Sequence, residues 1–184
     1  MKNFSRLLLV IFVLITVPVS AYFLFVIDSA GATSVNVPQE KVAYNLPYPG
    51  ILSDNPLYFL KVLRDKVTEF LTRDNVKKAQ LYLLDSDKRV AMSMAFVKMG
   101  KNSQSIDAFS KGEKYFLQII PLLQDAKKQG AGAPSSFIET LKLSNAKHHE
   151  LILELLKTLP QGLADQINQI AAINAQIKTG LESL

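Results

Sequence analysis

Along the chain the spacing of apolar residues changes character twice. From Leu7 to Ile27 there is no spacing at all: LLLVIFVLITVPVSAYFLFVI is 21 residues without a charge. As a helix rising about 1.5 Å per residue, such a run matches the roughly 30 Å hydrocarbon core of a bilayer. Asp28 to Tyr44 is small and polar and reads as a flexible tether. Beyond it, apolar residues recur every three or four positions to the end of the chain, the spacing of amphipathic helices.

Breakers and caps divide that periodic region. Pro47 and Pro49 hold the backbone extended, and Gly50 permits a turn. Pro56 suits a first helical position and pushes Asn55 out of the helical region, so Asn55 is the expected N-cap, with Asp54 adding negative charge at the positive helix end. The first helix runs to about Leu71, with Leu57, Leu60, Leu63, Val67, Phe70 and Leu71 on one face. Thr72 to Asn75 breaks it and caps a second helix, about Val76 to Met99, stopped by Gly100. These two are expected to pair as an antiparallel hairpin.

A third helix is predicted from about Ser103 to Gln129, weakened at Gly112 and kinked or broken at Pro121. After the loop GAGAPSS, a fourth extends from about Ser136 to Thr158. Pro160 and Gly162 set off a last one, about Leu163 to Leu181. No strand-like alternation follows the apolar run. The expected fold class is therefore all-α: an N-terminal transmembrane helix and an extracytoplasmic bundle of about five helices, the bundle occupying residues 45–184.

Charge gives this architecture a direction. Lys2 and Arg6 precede the apolar run and Asp28 is the first charge after it, which places residues 1–6 in the cytoplasm and the bundle outside a cell membrane crossed once. Cleavage after Val19-Ser20-Ala21 or Ala30-Gly31-Ala32, both small-x-small patterns, is the alternative and would secrete the domain. The 21 basic and 16 acidic residues are interleaved along most segments, without the dense basic face of a nucleic-acid binder. With no cysteine, disulfides, thiolate metal sites and thiol nucleophiles are excluded.

Candidate chemistry is sparse. Asp87 follows Leu83 by four residues and precedes Val90 by three, so it faces the interior, where an unpaired carboxylate is costly. Lys61 or Arg64, opposite in the hairpin, is the expected partner in a structural ion pair. His148 falls on the stripe of Leu141, Ile152 and Leu155 and reads as a core histidine, with His149 beside it on the surface. Adjacent histidines do not share a helix face, as a metal pair would require. Glu150 with Glu154 reads as a solvated face, as do Asp85 with Arg89 and Asp107 with Lys111. Tyr58, Phe59, Phe70, Tyr82, Phe96, Phe109, Tyr115 and Phe116 read as core. No phosphate loop, nucleophile elbow or triad pattern is present.

The segment YNLPYPGILSDNPLYFLKVLRDKVTEFL, continuing to Lys101, resembles the opening of an uncharacterised bacterial family of extracytoplasmic helical domains. Its lead-in has a Leu-Pro pair, a capped Pro-Leu-Tyr and a Leu-Lys-x-Leu-Arg-Asp helix start. The resemblance implies a membrane-tethered or exported helical domain, and brings no catalytic residue, ligand or cofactor with it. The expected role is a non-catalytic interaction module that meets the bilayer through its N-terminal helix and binds another envelope protein. Two alternatives stand beside it. One is a sensor or holdase binding anionic polymers or unfolded chains; the other is a metal-dependent envelope hydrolase using Asp87, Glu150 or His149.

Overall fold

In the computed structural model, which describes residues 41–184, six α-helices follow the divisions set by caps and breakers. They are α1 Tyr58–Leu71, α2 Asn75–Lys98, α3 Asn102–Leu117, α4 Ile119–Lys128, α5 Ser135–Thr158 and α6 Ala164–Glu182, with a 3-10 turn at Gln161–Leu163 leading into α6. There is no strand among the described residues. The expected anchor limits Leu7 and Ile27, the cleavage motifs and the tether up to Glu40 lie outside the described residues. Among those described, no helix is long and apolar enough to cross a membrane.

Local chemistry explains the boundaries. Asp74 caps α2 by accepting the Lys77 N–H at 2.9 Å. At the other end Gly100 adopts a φ of +69°, and Lys101 N–H reaches back to the Phe96 carbonyl at 2.9 Å, the six-to-one closure that a left-handed residue allows. Asn55, expected as the N-cap of α1, instead accepts the Leu57 N–H on its side chain at 2.8 Å, and Leu57, the residue that precedes α1, makes no side-chain cap bond. Asn55 to Leu57 form a turn first, and the regular helix begins at Tyr58, beyond Pro56.

The predicted third helix is two helices, and its break falls at Gln118 rather than at Pro121. Pro121 has no N–H to give the Leu117 carbonyl, and its ring crowds that oxygen, so the chain yields one turn upstream. Pro121 then lies in the first turn of α4, where no intrahelical N–H is needed.

Four helices, α2, α3, α5 and α6, build the centre, with α2 against α3 and α4, α3 against α6, and α5 against α6. Two apolar clusters fill it. One contains Leu83, Phe116, Leu123, Leu141 and Ile177; the other contains Val90, Phe109, Ile152, Leu155 and Ile170. A smaller cluster of Met92, Phe96 and Ala108 lies between α2 and α3. Gly112 is required by close approach: a Cβ there would meet the Ser86 carbonyl oxygen and a Val90 methyl at 3.1 Å each.

Residues 41–57 form a strap with no regular structure that is nonetheless fastened along its length. Val42 N–H donates to Glu150 at 2.8 Å, Leu46 packs on the second apolar cluster, and Leu52 packs on the smallest one. Asp54 pairs with Lys101 at 2.5 Å.

α1 departs from expectation in what it buries: none of its side chains is fully buried, and Tyr58 packs at the edge of the smallest apolar cluster. Phe59 and Phe70, expected in the core, are 62% and 84% exposed, and Leu57, Leu60, Leu63, Val67 and Leu71 face solvent with them. The helix is held by its polar side instead. Tyr82 donates to Glu69, Arg89 donates to the Tyr58 hydroxyl at 3.2 Å, and the Lys66 ammonium sits 5.5 Å from the centre of the Tyr115 ring. Helical spacing identifies an apolar face without saying what covers it.

Candidate functional site

Between the two large apolar clusters the bundle carries a layer of polar side chains, one or more from each central helix. On α2 the order is Leu83, Asp87, Val90; on α3 it is Phe109, Glu113, Phe116; on α6 it is Ile170, Asn174, Ile177. The polar residue follows its apolar neighbour by four and precedes the next by three each time, so all three sit where a core residue would. α5 contributes Ser144, Asn145 and His148 between Leu141 and Ile152.

His148 is the centre of this layer and is fully buried. Its Nδ1 lies 2.7 Å from Glu113 Oε1 and its Nε2 lies 3.0 Å from Asp87 Oδ1. The rings of Phe109 and Phe116, one turn either side of Glu113, stand edge-on to the imidazole at 6.0 and 5.7 Å between centres. Burial pulls the imidazole toward the neutral form, but the Glu113 charge and the hydrogen bonds to Asp87 and Glu113 outweigh it and raise its pKa to about 9. At neutral pH the ring is an imidazolium donating to a carboxylate on each side.

The remaining acceptor sites are filled. Asp87 takes Ser144 Oγ–H at 2.7 Å on the same oxygen as His148, and the Tyr44 hydroxyl at 2.5 Å on the other. Burial, and then the bond to Asp87 and its charge, raise the Tyr44 pKa, keeping the hydroxyl a donor. Glu113 Oε2 accepts from Asn174 Nδ2 at 3.3 Å. Asn174 and Asn145 then clasp each other across α5 and α6, each amide donating to the other's backbone carbonyl at 3.2 Å. The network thus joins the strap and four helices. Ser93 and Ser105 add a separate hydroxyl contact of 2.9 Å between α2 and α3.

This layer holds charge without presenting it. The Ser144 hydroxyl donates to a carboxylate and not to the imidazole, so no nucleophile stands against a base. Each imidazole nitrogen faces a different carboxylate, so the three groups do not converge on one point. Among the described residues, no group of three or more His, Asp or Glu side chains is placed to hold a metal ion.

The residues singled out by sequence therefore fall into different surroundings. Asp87 is interior, but its cationic partner is His148 rather than Lys61 or Arg64. Lys61 donates to the Pro49 carbonyl at 3.1 Å and Arg64 binds Asp65 at 2.6 Å. His149 is exposed. Glu150 is held below the usual carboxylate range by its bond to Lys147, with the Val42 N–H adding to it. Glu113, Asn174 and Ser144 are not among the residues singled out by sequence, and Tyr44 was expected at the end of the tether. For the first two, the shared four-then-three interruption of an apolar stripe was the available signal.

A family profile described as a domain of unknown function, DUF5667, matches residues 50–180. The chain belongs to the DUF5667 family. No curated protein and no solved structure matches it. The DUF5667 stretch takes in α1 and every residue of the polar layer except Tyr44, which precedes it. The exposed stripe and the buried hub are thus features of one domain.

Proposed function

We propose that this domain is a membrane-anchored, outward-facing interaction module that acts by binding through α1 and performs no catalysis. The observation that carries this reading is the unpartnered apolar face of α1, where six large side chains from Phe59 to Leu71 stand at least half exposed. A contiguous apolar face of this kind marks a docking site on soluble domains. A shallow groove of about 660 Å³ beside it, lined by Pro56, Tyr58, Phe59, Val62 and Leu63, extends the same surface. The uncharged run Leu7–Ile27 with its cationic N-terminal flank supports the anchor and its orientation.

The test is photo-crosslinking in intact cells from the full chain, with a diazirine amino acid at position 63 or at Gln169, an exposed polar position on α6. Adducts to protein or lipid from position 63 and not from 169 are expected. The absence of any adduct at 63 overturns the reading.

A further inference from the structure

The wheel of α1 has a composition that selects among partners. At about 100° per residue, Phe59, Phe70, Leu63, Val67, Leu60 and Leu71 fall within one arc of about 120°. Lys66 borders that arc on one side and Arg64 on the other, with side chains 56% and 68% exposed. The acids Asp65 and Glu69 lie on the opposite half, where each also pairs with a border cation, Asp65 with Arg64 at 2.6 Å and Glu69 with Lys66 at 2.8 Å, and Glu69 accepts from Tyr82 of α2. Past the helix end Arg73 and Lys77 are exposed, while the carboxylate of Asp74 is engaged in its cap.

An apolar arc with a cation on each border and its acids behind it complements a surface that is apolar within and anionic at its rim. That is the chemistry of a bilayer with acidic headgroups, into which such a helix sinks its apolar face while Lys and Arg reach up to the phosphates. A second copy of the chain fits less well. Both borders are cationic, so pairing two stripes in either direction sets cations against cations. Chain length agrees with the membrane. Asp28–Glu40, between the apolar run and the strap, spans at most about 45 Å at roughly 3.5 Å per residue, which keeps the domain close to an anchored bilayer.

We infer that α1 docks on the acidic-lipid surface of the membrane that anchors the chain, an inference that rests on the anchored interaction module proposed above. The chain has no tryptophan, so Leu63→Trp supplies a single reporter on an exposed position. Full-length protein is reconstituted into vesicles containing brominated phospholipid, either zwitterionic or with acidic phosphatidylglycerol. Flotation of the vesicles reads the anchor separately.

The reporter is expected to be quenched in acidic vesicles and much less in zwitterionic ones. Quenching should fall at about 1 M salt, where screening acts beyond roughly 3 Å. Adding Arg64→Glu, which leaves the Lys66–Tyr115 contact in place, should lower the docking constant about ten-fold. A Gln169→Trp reporter should stay unquenched. A chain that does not float refutes the anchor and the docking together. A floating chain with an unquenched, water-exposed reporter refutes docking alone. A blue-shifted but unquenched reporter also refutes it: dependence on protein density assigns the stripe to a second copy, and independence assigns it to the chain's own N-terminal segment.

Discussion

The polar layer and α1 are opposites. In the layer, ionisable groups occupy core positions and satisfy one another; on α1, core-type residues occupy surface positions and satisfy nothing on the domain. Had both been ordinary, Asp87, Glu113 and His148 would be apolar and Phe59, Leu63 and Phe70 polar. The difference teaches where constraint lies. A buried ionic cluster is weak support for stability but penalises any packing that separates its members, here on α2, α3 and α5, with α6 tied in through the neutral Asn174. An exposed stripe costs solubility and gains nothing within the folded domain, so its reason lies outside it.

Breaking the layer should cost most. His148→Leu leaves Asp87 and Glu113 buried without a cation between them, and the urea midpoint should report a loss of about 3–5 kcal/mol. Replacing Asp87, Glu113 and His148 together by leucine should give a protein more stable than the single variant, because no unpaired charge remains. The reverse order would mean that the cluster contributes as a set of attractive bonds.

The layer should also impose a pH dependence. The folded pKa of His148, about 9, is above its ordinary 6.5, so its contribution is complete below pH 6.5 and is lost as pH rises through 9. Unfolding free energies measured across that window should fall by on the order of 3 kcal/mol, and the fall should vanish in His148→Leu.

Smaller effects sharpen the contrast. Tyr44→Phe removes one donor from Asp87 and should cost about 1.5 kcal/mol by denaturant titration, showing that the strap is part of the fold. Phe70→Glu should change stability by no more than about 0.5 kcal/mol, whereas truncating the fully buried Phe109 to alanine should cost about 3–5 kcal/mol. A large loss at Phe70 would place α1 in the core after all.

Much of this fold was legible in the sequence because helices announce themselves by spacing and by local capping. Asp74, Gly100 and Pro160 act within a few residues of where they stand. Asp87 and His148 were legible as interior residues for the same reason. Their pairing was not, since it joins positions 61 residues apart and depends on how helices cross. The strap was illegible because an irregular segment has no period, and Tyr44 looked like the end of a tether. The apolar face of α1 was seen correctly and given the wrong neighbour, because spacing does not say whether a face meets protein, lipid or water.

The most direct measurement follows the ring of His148 itself. The chain has two histidines, so a His149→Gln variant leaves one imidazole to observe by NMR. An imidazolium at pH 7 that titrates near 9 is the predicted result. A neutral ring at pH 7, titrating at or below 6.5, would contradict the charged layer on which this account of the fold depends.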